Sequence, residues 1–242
     1  MTKKSKVLLI SVLIFVFLQV ALNIVLACDV IFDYFTSNTS DWIKYSSVIA
    51  CFLMSTISFK TKKGCLVIAG LAFTLIADYF LLVLDKYYEV GLSSFILAQT
   101  MYFLYIMPKH WPISLGIRFG LFGIAALVLP LALDIKQASA FIATFYFINL
   151  FMNTVDAYLT KDKGLLVFAI GLTFFIGCDI FVCLYNIRDY MTITNSFINA
   201  LIKHSLFASF VCYIPSQTLI SISPVFRQKF EIIRLSSSES RD

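Results

Sequence analysis

The chain predicts an all-α integral membrane protein of eight transmembrane helices, and three observations carry that expectation. Of its 242 residues, 60% are hydrophobic and 14% charged, with a mean hydropathy of +0.89, whereas a soluble domain carries roughly 25% charged residues. The apolar residues gather into stretches of about 20, each long enough to cross ~30 Å of hydrocarbon as a helix. Basic residues alternate in density from one connecting loop to the next, the pattern that orients such a chain in a bilayer.

The first stretch, 7–27, follows Lys3, Lys4 and Lys6. A secretory signal would carry an apolar region of only ~7 to 15 residues, so this run reads as a retained helix even though Val25, Leu26, Ala27 and Cys28 resemble a weak cleavage site. The second, 43–59, opens on Lys44, Tyr45, Ser46 and Ser47 and places Ser47, Cys51 and Ser55 along one face. The third, 64–84, begins after Lys63 and carries Gly70, Leu71, Ala72 and Phe73, then Asp78 and Phe80. The fourth, 90–107, contains Gln99 and Tyr102, and the fifth, 113–133, has Pro130 near its end. The sixth, 138–158, holds Tyr146 and a face of Asn149, Asn153 and Asp156. The seventh, 164–185, repeats the third: Gly171, Leu172, Thr173 and Phe174, then Asp179 and Phe181. The eighth, 200–222, has His204 near its start and Pro215 within it. Residues 1–235 form one polytopic domain, and the polar tail 236–242 is expected to be disordered.

The net charge of +5 could signal a nucleic-acid partner, but its distribution fits a bilayer instead. With the N-terminus inside, 14 of the 19 basic residues, Arg118 among them, fall in cytoplasmic segments, leaving Lys44, Lys86, Lys136, Arg188 and Lys203 outside. Both termini are then cytoplasmic, as an even number of spans requires. Six cysteines without CxxC spacing and only two histidines give no metal site, and no phosphate-loop, nucleophile-elbow or dinucleotide fingerprint implies a cofactor.

Asp78 and Asp179 are the candidate functional pair. An ionisable side chain near the bilayer centre costs at least ~2.5 kcal/mol, so two at matched positions need a reason. Lys63-Gly64 and Lys163-Gly164 open helices that run the same way, which makes the halves candidate parallel repeats of four helices. Both carboxylates then lie roughly 21 to 23 Å from the inner surface at 1.5 Å per residue. Gln99, Tyr102, Tyr146, Asn149 and His204 lie in the apolar spans on the outer side or near the middle, where polar groups either line a cavity or act as interhelical glue at ~0.6 kcal/mol per contact. Asp156 falls near the cytoplasmic end, where water can solvate it. Lys44 either snorkels outward or turns toward a carboxylate.

The runs around Asp78 and Asp179, the opening Lys44-Tyr45-Ser46-Ser47, the segment Phe95-Ile96-Leu97-Ala98-Gln99 with Tyr102, and Tyr146 with Met152 resemble the YhhN-type lysoplasmalogenase family over most of the chain. The resemblance implies an eight-helix membrane enzyme that hydrolyses the vinyl ether bond of lysoplasmalogens to a fatty aldehyde and a glycerophospho-alcohol. The chain departs from the family at Gln99, where histidine is usual, and at Tyr45, where proline commonly follows the lysine. Such hydrolysis needs an acid to protonate the β-carbon and a base to activate water, roles two carboxyl groups in one dry site can share. Lys44 or His204 would bind the lysophospholipid phosphate at the outer rim. The expected setting is a bacterial cytoplasmic membrane. A proton-coupled transporter and a noncatalytic lipid-binding member of the family are the competing expectations.

Overall fold

The computed structural model describes residues 3–32, 35, 37–58, 62–186 and 196–239. Eight α-helices are found among them: α1 Lys3–Phe32, α2 Ser37–Ser55, α3 Lys62–Asp78, α4 Tyr88–Ile106, α5 Trp111–Ala132, α6 Ala138–Leu159, α7 Leu166–Asn186 and α8 Ser196–Glu239. All except α2 are long and apolar enough to cross a membrane. The shortfall of α2 has a local cause: its first turns, Ser37 to Asp41 and then Lys44, are polar and charged. Its 19 residues still span about 28 Å at 1.5 Å each. Seven helices thus have the length and apolarity of membrane spans, and the crossing of α2 is the step that distinguishes eight spans from seven.

Several helix stops are set by the chain itself. Asp85, Met107, Asp134 and Lys161 take positive φ angles just beyond helix ends, the conformation that turns the chain out of a helix, and Tyr87 does so immediately before α4 begins. Pro112 occupies the first turn of α5, where its missing N–H costs nothing. Asp162 accepts from the Gly164 N–H at 2.9 Å, capping the short turn Lys163–Leu165 that leads into α7. In α8, Pro224 cannot donate to the carbonyl of Ile220, and the Ser223 hydroxyl does so instead at 2.8 Å. Nothing breaks α8 afterwards, so it is helical to Glu239 and takes in the first part of the tail expected to be disordered.

Helices α3, α4, α6, α7 and α8 close a ring, each packed on the next, with α8 returning to α3. Outside it, α2 leans on α3 and α8, α1 on α2 and α8, and α5 chiefly on α6. Lipid tails are as apolar as leucine, so close packing and polar contacts hold such helices together. The two glycines of the repeated motif serve that packing. A Cβ on Gly70 would lie 2.2 Å from Tyr102 Cε1 of α4, and one on Gly171 would lie 3.1 Å from the Ile220 backbone N of α8. Their neighbours Leu71 and Leu172 are both wholly buried in the ring.

Charged contacts fasten two further places. Arg227 of α8 donates to the Tyr105 carbonyl at 2.7 Å and pairs with Asp162 at 3.2 Å, joining α8 to the end of α4 and to the turn before α7. Arg118, expected among the cytoplasmic loop charges, is instead 1% exposed on α5 and packed against α6. It reaches Asp156 at 2.8 Å, Asn153 at 2.9 Å and Asn149 at 3.0 Å, while Ser114 donates to Asp156 at 2.6 Å. Asp156 is therefore buried in an ion pair and not solvated. The physical reason is helical spacing: Ser114 and Arg118 lie on one face of α5, directly opposite the Asn149, Asn153 and Asp156 face of α6.

Candidate active site

Asp78 closes the last regular turn of α3. Spacing of four residues puts Gly70, Thr74 and Asp78 on one helix face, and Gly171, Phe175 and Asp179 on one face of α7. Immediately after Asp78 the backbone widens into a π-helical turn, Tyr79–Val83, where the Leu84 N–H bonds the Tyr79 carbonyl at 2.9 Å. Turns of this kind are frequent at functional sites because they re-aim neighbouring side chains.

Both carboxyl groups turn into the ring and lie within Coulombic range of each other. Asp78 is 3% exposed. Its Oδ2 accepts a hydrogen bond of 2.5 Å from the Tyr213 hydroxyl of α8. Asp179 is half-buried, with Oδ2 enclosed and without a donor, although Tyr146 of α6 faces it. A chain of ring contacts links Tyr213, which bonds Asp78, to Tyr146, which faces Asp179. Phe175 meets Tyr213 at 5.7 Å, Phe95 at 5.8 Å and Tyr146 at 6.4 Å between centroids, and Phe95 stacks on Tyr146 at 5.1 Å. The ring of Tyr102 lies over Gly70, with its hydroxyl toward Thr74 and Asp78.

Gln99 lies on the same face of α4, one turn from both Phe95 and Tyr102. Its amide orientation follows from a chain of donors. A guanidinium can only donate, so Asn153 must show Oδ1 to Arg118 and Nδ2 to its other side. That Nδ2 bonds Gln99 Oε1 at 2.9 Å, so the Gln99 amino group is the end left over, and it is buried without a partner. Buried polar atoms are nearly always hydrogen-bonded, so unpaired groups such as Gln99 Nε2 and the hydroxyls of Tyr102 and Tyr146 mark where an oxygen-bearing ligand would find donors.

Of the residues singled out from the sequence, Asp78, Asp179, Tyr102 and Tyr146 come together, with Gln99 adjoining them. Lys44 does not join them. It is buried in a notch between α1, α2 and α8, ion-paired with Asp41 at 2.8 Å and set over the Phe210 ring at 3.6 Å. Its neighbour Tyr45 faces the site instead, meeting Tyr79 at 6.1 Å. Asn149 is engaged by Arg118, and the His204 side chain lies outside the described residues. Tyr213 escaped the sequence reading. The available signal was its place two residues before Pro215 in the last apolar stretch.

The profile of the YhhN family matches residues 40–224. The chain belongs to the YhhN family. The match runs from the first turn of α2 to Pro224 in α8 and so takes in both aspartates, Tyr146 and Tyr213. No curated protein and no solved structure matches the chain. Membership of the YhhN family is consistent with a membrane lysoplasmalogenase. The site of this YhhN protein holds two acids, phenol hydroxyls and an amide, and among the described residues no group of three or more metal-ligating side chains.

Proposed function

We propose that this YhhN protein hydrolyses the vinyl ether bond of lysoplasmalogens inside the membrane, using Asp78 and Asp179 as an acid and base pair. The observation that carries this reading is the convergence of two carboxyl groups from different helices on one enclosed, phenol-lined interior. Two neighbouring carboxylates in a dry site disfavour double ionisation, so one keeps a proton and the other stays charged. The protonated member adds its proton to the β-carbon of the vinyl ether, and an oxocarbenium ion forms beside the remaining carboxylate. That carboxylate takes a proton from the water that adds, giving a hemiacetal. On collapse, the hemiacetal hydroxyl returns its proton to the first acid, and the second protonates the departing glycerol oxygen. The products are an aldehyde and an alcohol, and both side chains regain their starting states.

The surroundings suit that chemistry. Aromatic faces would surround the cation that develops, and the Gln99 amino group and Tyr102 hydroxyl, both without a partner, would donate to substrate oxygens. The partly exposed edge of Asp179 offers the approach for a single-chain lysophospholipid arriving from the bilayer. Eight crossings, cytoplasmic termini, paired four-helix repeats and a bacterial cytoplasmic membrane belong to the same proposal, supported by the loop charges and by the close packing of α3 with α4 and α7 with α8.

The test is purified protein in lipid nanodiscs given lysoplasmenylethanolamine and, separately, its saturated ether analogue. Long-chain aldehyde from the first substrate alone is expected. Failure to release aldehyde, with proton flux when the protein is placed in liposomes, would replace the reading with transport.

A further inference from the structure

We infer that the two carboxyl groups hold fixed and different roles, with Tyr213 keeping Asp78 as the ionised base and leaving Asp179 as the acid that protonates substrate. The assignment rests on the proposed hydrolysis for its chemistry and on hydrogen-bond geometry for its direction. Asp78 accepts the Tyr213 O–H at 2.5 Å, the length range of a charge-assisted O–H···O⁻ bond. A donor of this kind stabilises a carboxylate more than a neutral acid, whose carbonyl oxygen is the weaker acceptor. The Thr74 hydroxyl, one turn below, already donates to the Gly70 carbonyl, so Tyr213 is the donor that decides the state of Asp78.

Asp179 has the opposite surroundings. Its enclosed Oδ2 has no donor, and the Tyr146 hydroxyl opposite it is also unpaired. A neutral carboxyl group there can donate its own proton to Tyr146, whereas a carboxylate would be an enclosed anion whose one facing hydroxyl, Tyr146, stands outside hydrogen-bond distance, unlike Tyr213 at Asp78. Among the described residues the titratable groups in electrostatic contact with Asp78, apart from Asp179, carry no positive charge: Tyr45 and Cys51 of α2, Tyr102 of α4, Tyr146 of α6, Cys178 of α7 and Tyr213 of α8. With a single negative charge to place, the site places it where the donor is. Exposure agrees, because the acid must meet the substrate carbon and Asp179 is the less enclosed of the two.

The proton balance is closed. Asp179 gives its proton to the β-carbon as the C=C bond becomes the oxocarbenium ion; water adds, and its proton passes to Asp78. Collapse of the hemiacetal breaks the bond between the hemiacetal carbon and the glycerol oxygen. Asp78 protonates that oxygen, and the hydroxyl proton reloads Asp179.

Difference infrared spectroscopy on the full protein in lipid at neutral pH, without substrate, tests the assignment, because a protonated carboxyl has a C=O stretch apart from carboxylates and amides that shifts in D2O. The expected result is one such band in the unmodified protein, lost in Asp179→Asn and kept in Asp78→Asn. A band lost in Asp78→Asn and kept in Asp179→Asn, or no band at all, overturns it. Tyr213→Phe removes only an oxygen and serves if an aspartate variant does not fold. There the band should split as Asp78 begins to share the proton, and an unchanged band overturns the role of Tyr213. A protein that shows the expected bands but releases no aldehyde loses the hydrolysis reading while keeping this proton placement.

Discussion

Replacing Arg118 with methionine removes the charge that organises the α5/α6 seam while retaining much of the side chain's apolar bulk. Asp156, buried and left with only Ser114 as partner, becomes an uncompensated anion inside the bundle. Breaking one half of a buried pair costs about 3–5 kcal/mol. The hydrogen bonds to Asn149 and Asn153 add about 0.6 kcal/mol each, the average for such contacts in a membrane protein. The charge is therefore the dominant effect, and removing its partner as well should restore most of the loss. Reversible unfolding in mixed detergent micelles, followed by helix ellipticity, measures both. Arg118→Met is expected to lose about 3–5 kcal/mol, and Arg118→Met with Asp156→Leu to return to within about 2 kcal/mol of the original. A single variant within about 0.5 kcal/mol of the unmodified protein would refute the reasoning, as would a double variant no better than the single.

Gly70→Ala puts a methyl group 2.2 Å from the Tyr102 ring and is expected to cost about 1–3 kcal/mol and displace the Tyr102 hydroxyl, read as a lower melting temperature in detergent. Gly116→Ala, with nothing within 4 Å of the new Cβ, should be neutral or stabilise by up to about 1 kcal/mol in the same assay. Arg227→Gln loses the ion pair to Asp162 and weakens the bond to the Tyr105 carbonyl, so amide exchange at the end of α4 and in the turn before α7 should accelerate. Reporter domains fused to either end should both report the cytoplasmic side if α2 crosses the membrane, and opposite sides if it does not.

The two aspartates and their shared helix faces were legible because a four-residue repeat is a property of the chain alone. So was the family, whose pattern lies in local motifs. The orientation of Lys44 was not, since a lysine near a helix start can snorkel or turn inward, and only the position of Phe210 on a distant helix decides it. Arg118 was misplaced for a similar reason. Its position in the second turn of α5 suits a cytoplasmic end, and its burial depends on α6 presenting a carboxylate and two amides at matching height. The role of Tyr213 was marked in the sequence only by its place two residues before Pro215, and its partner lies 135 residues away. Long-range polar pairing, more than helix placement, is what one sequence leaves unspecified.

The most direct measurement is the release of aldehyde from lysoplasmenylethanolamine in D2O by the unmodified protein and by Asp78→Asn and Asp179→Asn, with the aldehyde trapped at once. One solvent-derived deuterium on the carbon next to the carbonyl is predicted for the unmodified protein, with rates falling by about 10²- to 10⁴-fold in each variant. Aldehyde without deuterium, or an undiminished rate in either variant, would contradict the account.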